Sequence, residues 1–427
     1  MSTFQALPGF RDFYPDDFAV RAHIFATWRE VARRYGFAEY DGPPLEPLEL
    51  YTEKSGPEIV QQLYCFTDKG EREVAMRPEM TPTLARMAGA RANGLRKPIR
   101  WFSVPQLFRY ERQQRGRLRE HFQLNCDLIG EDDVAADAEL LACAIDVLRA
   151  FGLTEADFVA RVSDRALLRA LLLHAGVPEE QLVLVYNIVD KLERETRETI
   201  GARLRGEAGL GDEAVERTLD IFRHTTFDAV REAYGATEGA AAEIARMGEC
   251  LALLEAMGLG AYVRFDLSVV RGLAYYTGIV FELFDARGEL RAICGGGRYD
   301  HLLKQTGGVD LPALGFGMGD VVLRELLSDR GLLPGTAHAI DFYLIAVTPA
   351  ERPELLALAH RLRDAGHSVD YALRAAGVGK QFKNASALGA RRTVVLGPDE
   401  AAEGVAVVRD MASGDERRVP LAEVGRP

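Results

Sequence analysis

Between Pro98 and Gly130 the chain reads PIRWFSVPQLFRYE, then ERQQRGRLRE, then HFQLNCDLIG: two strand-like runs around a polar, basic centre. This pattern predicts a long antiparallel hairpin with an arginine-rich tip. Side chains alternate faces along a strand. Arg109 and Glu111 therefore share one face of the first arm, and Gln123, Asn125 and Asp127 share one face of the second. A sheet face holding Arg, Glu, Gln, Asn and Asp makes a poor core, because burying unpaired charge is costly. Such a face is either open to solvent or the polar floor of a pocket for a charged ligand. The tip carries Arg112, Arg115, Arg117 and Arg119. Guanidinium forks suit phosphate, although a solvated turn has the same composition.

Around this hairpin the pattern changes repeatedly. Residues 18–36 place apolar residues at helical spacing and stop at Gly36. A second helix is expected over 135–151. Residues 175–260 are helical throughout, rich in Glu, Arg and Ala, and look like an inserted module. Strand signals return at 261–270 and 275–285, followed by the glycine cluster CGGGRYD and a helix at about 318–331. The stretch LLPGTAHA, 332–339, has linker composition. Beyond it DFYLIAV, a helix at 351–366, SVDYAL, a helix near 379–389, RTVVLG and GVAVVRD alternate strand with helix. That alternation predicts a small α/β domain with a partly parallel sheet. The expected units are a large domain over 1–331 with its insertion at about 175–260, a linker at 332–339 and a domain over 340–427. A length of 427 residues accommodates them.

Composition removes several classes. Apolar residues make up 48% and charged residues 27%, as in a soluble globular protein. There is no run of about 18 apolar residues, and MSTFQALPGFRDFYP lacks the basic flank and apolar stretch of a secretory signal. Five cysteines without Cys-x-x-Cys spacing argue against a zinc cluster or disulfide framework and for a reducing cytoplasm. A net charge of −12 argues against a non-specific coat for nucleic acid, but leaves room for a local basic surface.

Three further segments carry chemistry. In MRPEMTPTLARM, 76–87, Arg77, Glu79 and Thr81 fall at period two, while Pro78 and Pro82 oppose a regular central strand. A carboxylate beside a hydroxyl suits an ammonium group; a salt-bridged strand end fits equally. In VVRGLAYYTGIVFE, 269–282, adjacent Tyr275 and Tyr276 on a strand would face opposite sides. In CGGGRYDHLL, 294–303, consecutive glycines are entropically costly and suggest close approach of backbone to a ligand, or a plain turn.

Together these segments resemble histidyl-tRNA synthetases, which are class II enzymes. FRYERQQRGRLREHFQ resembles motif 2 in its histidyl form, RGLAYYTG and GGGRYDHLL the two histidine signatures, and RPEMTP the segment that holds the substrate amine. GFRDFYP resembles the N-terminal signature, YGFAEYDGPPLEPLELY motif 1, and GFGMGD the start of motif 3. The resemblance spans nearly the whole chain, and its C-terminal region is similar to an anticodon-binding domain. It implies an α+β fold: an antiparallel sheet with flanking helices, a helical insertion and a C-terminal α/β domain.

The resemblance also implies roles. Arg109 would hold the ATP α-phosphate, with Glu111, Arg117 and Arg119 near adenine and the outer phosphates. Glu79, Thr81 and Gln123 would grip the α-amino group of histidine. Asp127 and Tyr276 would read its imidazole nitrogens, and Tyr275 would line the pocket. Arg271 would be the histidyl-specific catalytic arginine. The implied substrates and partners are L-histidine, ATP with Mg²⁺, tRNA(His) and a second copy of the chain. Asp127 stands where many relatives have Glu, and Val322 stands where class II motif 3 has its adenine-stacking arginine. The rival reading is a regulatory subunit of ATP phosphoribosyltransferase, a paralogue that also departs at motif 3; Glu79, the arginine set and the C-terminal domain argue against it. A class II synthetase of prolyl or glycyl specificity lacks the two histidine signatures.

Overall fold

The computed structural model describes residues 4–52, 61–112, 114–192, 194–270, 275–335 and 340–426. They form two compact units, one of 1–12 with 21–333, the other of 13–20 with 334–427.

The first unit is built on one large sheet. Its strands are β1 (Ala38–Glu39), β5 (Ile99–Ser103), β6 (Gln106–Phe108), β7 (Glu120–Ile129), β8 (Phe158–Asp164), β9 (Val263–Phe265), β10 (Ile279–Asp285), β11 (Cys294–Arg298) and β12 (Ala313–Gly319). The order is β1-β5-β7-β12-β11-β10-β8-β9, with β6 also paired to β7. From β5 to β8 every neighbour is antiparallel; only the edge pairs β1–β5 and β8–β9 are parallel. A small separate sheet joins β2 (Leu45–Pro47), β3 (Tyr64–Thr67) and β4 (Glu73–Met76) in the order β2-β4-β3.

The expected hairpin is present. Pro105 interrupts its first arm between β5 and β6, and both pair with β7. One face of the sheet is core. Phe102, Leu124, Cys126, Leu128, Phe281, Leu283, Leu314, Phe316 and Met318 are all buried. Helix α1 (Pro15–Arg34) lies early in the chain, and α2 (Thr81–Arg91) follows β4. Helix α3 (Val134–Ala150) is capped by Asp133, whose side chain accepts from Ala135 N. It is apolar on most of its surface because it packs against β7, β10, β11 and β12. Each fully buried Leu or Ile there contributes about 1.5–3 kcal/mol.

The insertion is helical as the composition predicts, with Leu182–Val189, Arg197–Gly206, Asp212–Ile221, Phe227–Tyr234 and α4 (Ala241–Ala256). One expected strand is shorter than read, one strand was not read at all, and one open reading is resolved. FVARVSD, 158–164, was not read as a strand, yet β8 pairs with β10 along seven residues and with the edge strand β9. The strand expected over 261–270 shrinks to β9. The triple glycine is part of β11 inside the sheet and not a turn.

Helices α5 (Leu302–Gly307) and α6 (Asp320–Asp329) complete this unit. In the second unit, β13 (Phe342–Ala346), α7 (Arg352–Asp364), β14 (Val369–Tyr371), α8 (Val378–Ala387), β15 (Arg392–Leu396), β16 (Val405–Asp410) and β17 (Glu416–Pro420) give the sheet order β14-β13-β15-β16-β17. The first three strands are parallel and the last two antiparallel. Phe342, Leu344, Leu355, Leu358, Leu362, Val394 and Leu396 form its core. Of the linker, residues 336–339 lie outside the described residues.

Candidate active site

The other face of the large sheet follows from its register. Opposite Asp127 and Asn125 of β7 stand Gly315 and Gly317 of β12; opposite those stand Gly297 and Gly295 of β11. Cross-strand partners share a face, so two rows of glycine border the polar row Gln123, Asn125 and Asp127. A side chain added at Gly297, Gly315 or Gly317 would force its neighbours to move. A Cβ on Gly317 would meet Gln123 Nε2 at 2.5 Å, one on Gly315 would collide with the Asp127 carboxylate, and one on Gly297 would come to 2.7 Å of Val280 Cγ1 and 3.0 Å of Tyr276 Cδ1. The sheet floor is thus a trough of backbone, walled by Gln123 and Asp127 on one side and Tyr276 on the other.

Asp127 is 5% exposed, and burial raises its carboxyl pKa to about 7, opposed by a hydrogen bond from the Tyr299 hydroxyl. The Tyr299 ring lies 5.8 Å from Tyr275, and Tyr275 lies 5.1 Å from Tyr276. All three tyrosines pack with Leu84, Ala88, Val280 and Trp101. The two adjacent tyrosines do not face opposite sides as a strand would require, because β10 begins only at Ile279. The loop before it turns both rings into one cluster. Arg271 lies outside the described residues.

The arginine hairpin supplies the next part. Arg109 follows the end of β6, where its N–H donates to Arg119 O at 2.9 Å and its Nε to Pro78 O at 2.9 Å. That second bond sets Arg109 against the backbone preceding Glu79, which is buried. Thr81 starts α2, so the period-two face expected for Arg77, Glu79 and Thr81 does not form. Arg77 is instead a buried clamp, bonded to Asp41 at 2.8 Å, Gly42 O at 2.7 Å and Gln106 O at 3.0 Å. Glu111 also lies beyond β6, so the face expected to join it with Arg109 is not a strand face; its carboxylate meets Arg117 Nε at 2.6 Å. Arg119 lays its guanidinium over the Tyr110 ring at 4.2 Å. Arg115 pairs with Glu325 at 3.2 Å on α6, whereas Arg112 is exposed.

The N-terminal signature locks this hairpin in place. Arg11 bonds Glu120 at 2.6 Å and Asp320 at 2.8 Å, and Asp320 accepts from Phe122 N at 2.9 Å. Burial, then the charges of Arg109 and Arg11, lower the His121 pKa to about 3, so this ring is neutral at pH 7. Val322 of α6 is buried beneath the hairpin tip; a Cβ on Gly116 would lie 3.2 Å from it. Beside it Arg291 donates to Gln114 Oε1 at 2.6 Å, and burial followed by Arg117 lowers its pKa.

A buried ion pair supports the tyrosine loop from below. Arg298, 2% exposed, bonds Asp137 of α3 at 2.6 Å and Asp300 at 3.3 Å. Arg246 of α4 reaches the same Asp137 at 3.3 Å. Asp300 accepts from Thr277 Oγ1 at 2.9 Å, and Thr277 N donates to Arg298 O at 2.8 Å. Sequence reasoning missed Arg11, Arg291, Arg298, Asp137 and the site role of Tyr299. Arg298 and Tyr299 had a signal in the GGGRYD segment and Arg11 in GFRDFYP, whereas Asp137 and Arg291 had none. A second concavity, of about 670 Å³, lies in the second unit between Asp341, His367, Arg391 and Asp410; none of the expected site residues is there.

An antiparallel sheet with an arginine hairpin beside a polar trough, together with a separate C-terminal α/β unit, is the architecture of a class II aminoacyl-tRNA synthetase. A family model described as histidyl-tRNA synthetase matches residues 9–320, and one described as an anticodon binding domain matches 341–426. The chain belongs to the histidyl-tRNA synthetase family. It is 49% identical over 427 residues to a histidine–tRNA ligase of Opitutus terrae, covering 99% of this chain and 98% of that one. It is 42% identical over 416 residues to the chloroplastic/mitochondrial histidine–tRNA ligase of Arabidopsis thaliana, covering 97% and 85%. The crystal structure of histidyl-tRNA synthetase from Nostoc sp. PCC 7120 shares the fold with a TM-score of 0.84 at 24% identity, covering 100% and 98%. The regulatory-subunit alternative is not favoured by these full-length similarities.

Proposed function

We infer that the chain activates L-histidine with ATP to give histidyl-adenylate and pyrophosphate, then transfers histidine to the 3′ end of tRNA(His). The observation that supports this best is the backbone trough with Asp127 and the tyrosines at one place and Arg109 on the adjoining hairpin. The histidine carboxylate attacks the α-phosphorus; it is already ionised at pH 7 and needs no general base. Both reactants are anions, so the step depends on fixed cations that hold them together and stabilise the developing charge. Arg109 and Arg271 take that role. Glu111, Arg117 and Arg119 bind ATP. Glu79, Thr81 and Gln123 hold the α-amino group, Asp127 and Tyr276 the imidazole, and Tyr275 lines the pocket. A terminal ribose hydroxyl of tRNA then attacks the adenylate.

Among the described residues no group of three or more His, Cys, Asp or Glu converges as a metal cage. The Mg²⁺ of this reading travels with the triphosphate, whose oxygens supply most of its ligands. The second unit reads the anticodon, with 332–339 as the linker between catalytic and anticodon-binding parts. The working form is a homodimer through the motif 1 region. A cytoplasmic location is supported by five free thiols; no helix among the described residues is long and apolar enough to cross a membrane.

The test is amino-acid-dependent exchange of pyrophosphate into ATP. Exchange is expected with histidine and with none of the other protein amino acids. Absence of exchange with histidine, together with binding to ATP phosphoribosyltransferase, overturns the reading.

The loss of the motif 3 arginine gives a second test. A cation over an adenine ring contributes about 0.5–2 kcal/mol, and Val322 cannot supply one. Arg291 stands beside Val322 and the hairpin tip. Arg324 is half-buried two residues along α6, about 200° around the helix axis from Val322. Arg291→Ala should raise the ATP KM about three- to thirtyfold. Arg324→Ala should leave it within about threefold. The reverse ranking in properly folded variants would assign the contact to Arg324.

A further inference from the structure

Tyr40 OH and Ser103 Oγ are buried hydroxyls near Asp127, and among the described residues neither has a hydrogen-bond partner of good geometry. They face each other closely enough for one weak hydrogen bond between them, which leaves the pair with unused donor and acceptor capacity. Ser103 is wholly buried on β5, opposite Asn125; two residues earlier Trp101 stands opposite Asp127. Ser103 therefore belongs to the same sheet face as the trough. Tyr40 follows the edge strand β1. Its N–H donates to Phe102 O at 2.8 Å, and its ring packs on Trp101 with centroids 5.4 Å apart. It joins the cluster that holds Tyr275, Tyr276 and Tyr299. Burial and the neighbouring Asp127 charge both raise the pKa of its phenol, so the hydroxyl keeps its proton.

A folded chain rarely leaves a buried hydroxyl pair with so little hydrogen bonding, because each group loses its water without full replacement. Asp127 meanwhile receives one hydrogen bond among the described residues, from Tyr299, and has acceptor capacity left over. A hydroxyl both donates and accepts, and a neutral imidazole carries one donor nitrogen and one acceptor nitrogen. A polar ring entering beside Asp127 would satisfy these groups together, where an apolar ring of equal size would leave them orphaned.

We propose that Tyr40 is a specificity-determining residue: its hydroxyl, with Ser103 beside it, shares the polar edge of the substrate imidazole with Asp127. The proposal rests on the reading of Asp127 as the imidazole-binding carboxylate. It adds that discrimination against rings without nitrogen comes in part from the motif 1 side of the pocket.

The experiment is pyrophosphate exchange with the full-length enzyme carrying Tyr40→Phe, Ser103→Ala or Asp127→Asn. Tyr40→Phe removes one oxygen and should raise the histidine KM about tenfold, with kcat and the ATP KM within about twofold. Discrimination between histidine and 2-thienylalanine should narrow by a similar factor. The melting temperature of the ligand-free protein should change little, since the lost hydroxyl makes at most a weak contact with Ser103. Ser103→Ala should show the same pattern more weakly. An unchanged histidine KM in Tyr40→Phe, with Asp127→Asn impaired, overturns the role of Tyr40 alone. Unchanged histidine KM values in both overturn the reading of the pocket itself. Parallel rises in the histidine and ATP KM with a lowered melting temperature would show Tyr40 to be structural, and also overturn the proposal.

Discussion

Arg109→Gln should lower the rate of histidyl-adenylate formation by about 10²–10³, the usual consequence of losing one preorganised donor at a centre of developing charge. Arg109 is held from two directions, by the backbone pairing with Arg119 and by the bond from its Nε to Pro78 O. Its guanidinium position is therefore fixed before any substrate arrives, which is what electrostatic catalysis needs. Lysine keeps the charge but not the fork, so Arg109→Lys should recover little. The melting temperature should hardly move, because the side chain is half-buried and forms no ion pair among the described residues. Single-turnover adenylate formation is the measurement. A glutamine variant within fivefold of the wild-type rate would take Arg109 out of the chemistry.

The largest effect on stability is expected at Asp137. It carries the paired charge for Arg298, and both side chains are 2% exposed. Burial by itself raises the Asp137 pKa, while the two arginines oppose that shift. Truncation to alanine leaves the buried Arg298 guanidinium without its shortest ion pair, with only the longer contact to Asp300 at 3.3 Å to balance its charge. Breaking a buried pair from one side typically costs 3–5 kcal/mol. Asp137→Ala should therefore lower the urea midpoint and melting temperature strongly, and leave a loosened tyrosine loop. The double replacement Asp137→Leu with Arg298→Met should recover much of the loss, since apolar packing can replace a buried pair. A double variant as unstable as the single one would mean that the charge is not the source.

How much of this was legible beforehand depended on whether the cause was local. The hairpin was legible because alternation and the arginine-rich tip occupy one continuous stretch. The insertion and the C-terminal alternation were legible for the same reason. β8 was not: Phe158, Ala160 and Val162 are buried, but so are Arg161, Ser163 and Asp164, so the segment has no clean polar face. Arg161 is tolerated there because its charge meets Asp266, 105 residues away, and a second nitrogen donates to Ser268 Oγ. The pair of tyrosines was misjudged by assigning a strand to residues that form a loop. The expected pocket residues were named from motif resemblance, whereas the long-range pairings that anchor the site leave no local trace. Arg298 and Asp137 are 161 positions apart, and Arg11 and Asp320 are 309 apart. Tyr40 reads as an unremarkable aromatic before a turn until the sheet register sets it beside Asp127.

The glycine rows of β11 and β12 carry one more consequence. A floor made of main chain has no rotamers to freeze when an amino acid settles on it. Ordering a rotamer-rich side chain at an interface costs about 0.5–1.5 kcal/mol, and along Gly295, Gly297, Gly315 and Gly317 that charge is absent. The hydrogen-bonded ladder on either side of those positions also cannot bend to accept a larger occupant without breaking strand pairing. Attempts to redirect the enzyme to a bulkier amino acid should therefore succeed at the tyrosine and Asp127 walls, where side chains can be exchanged, and fail at the floor.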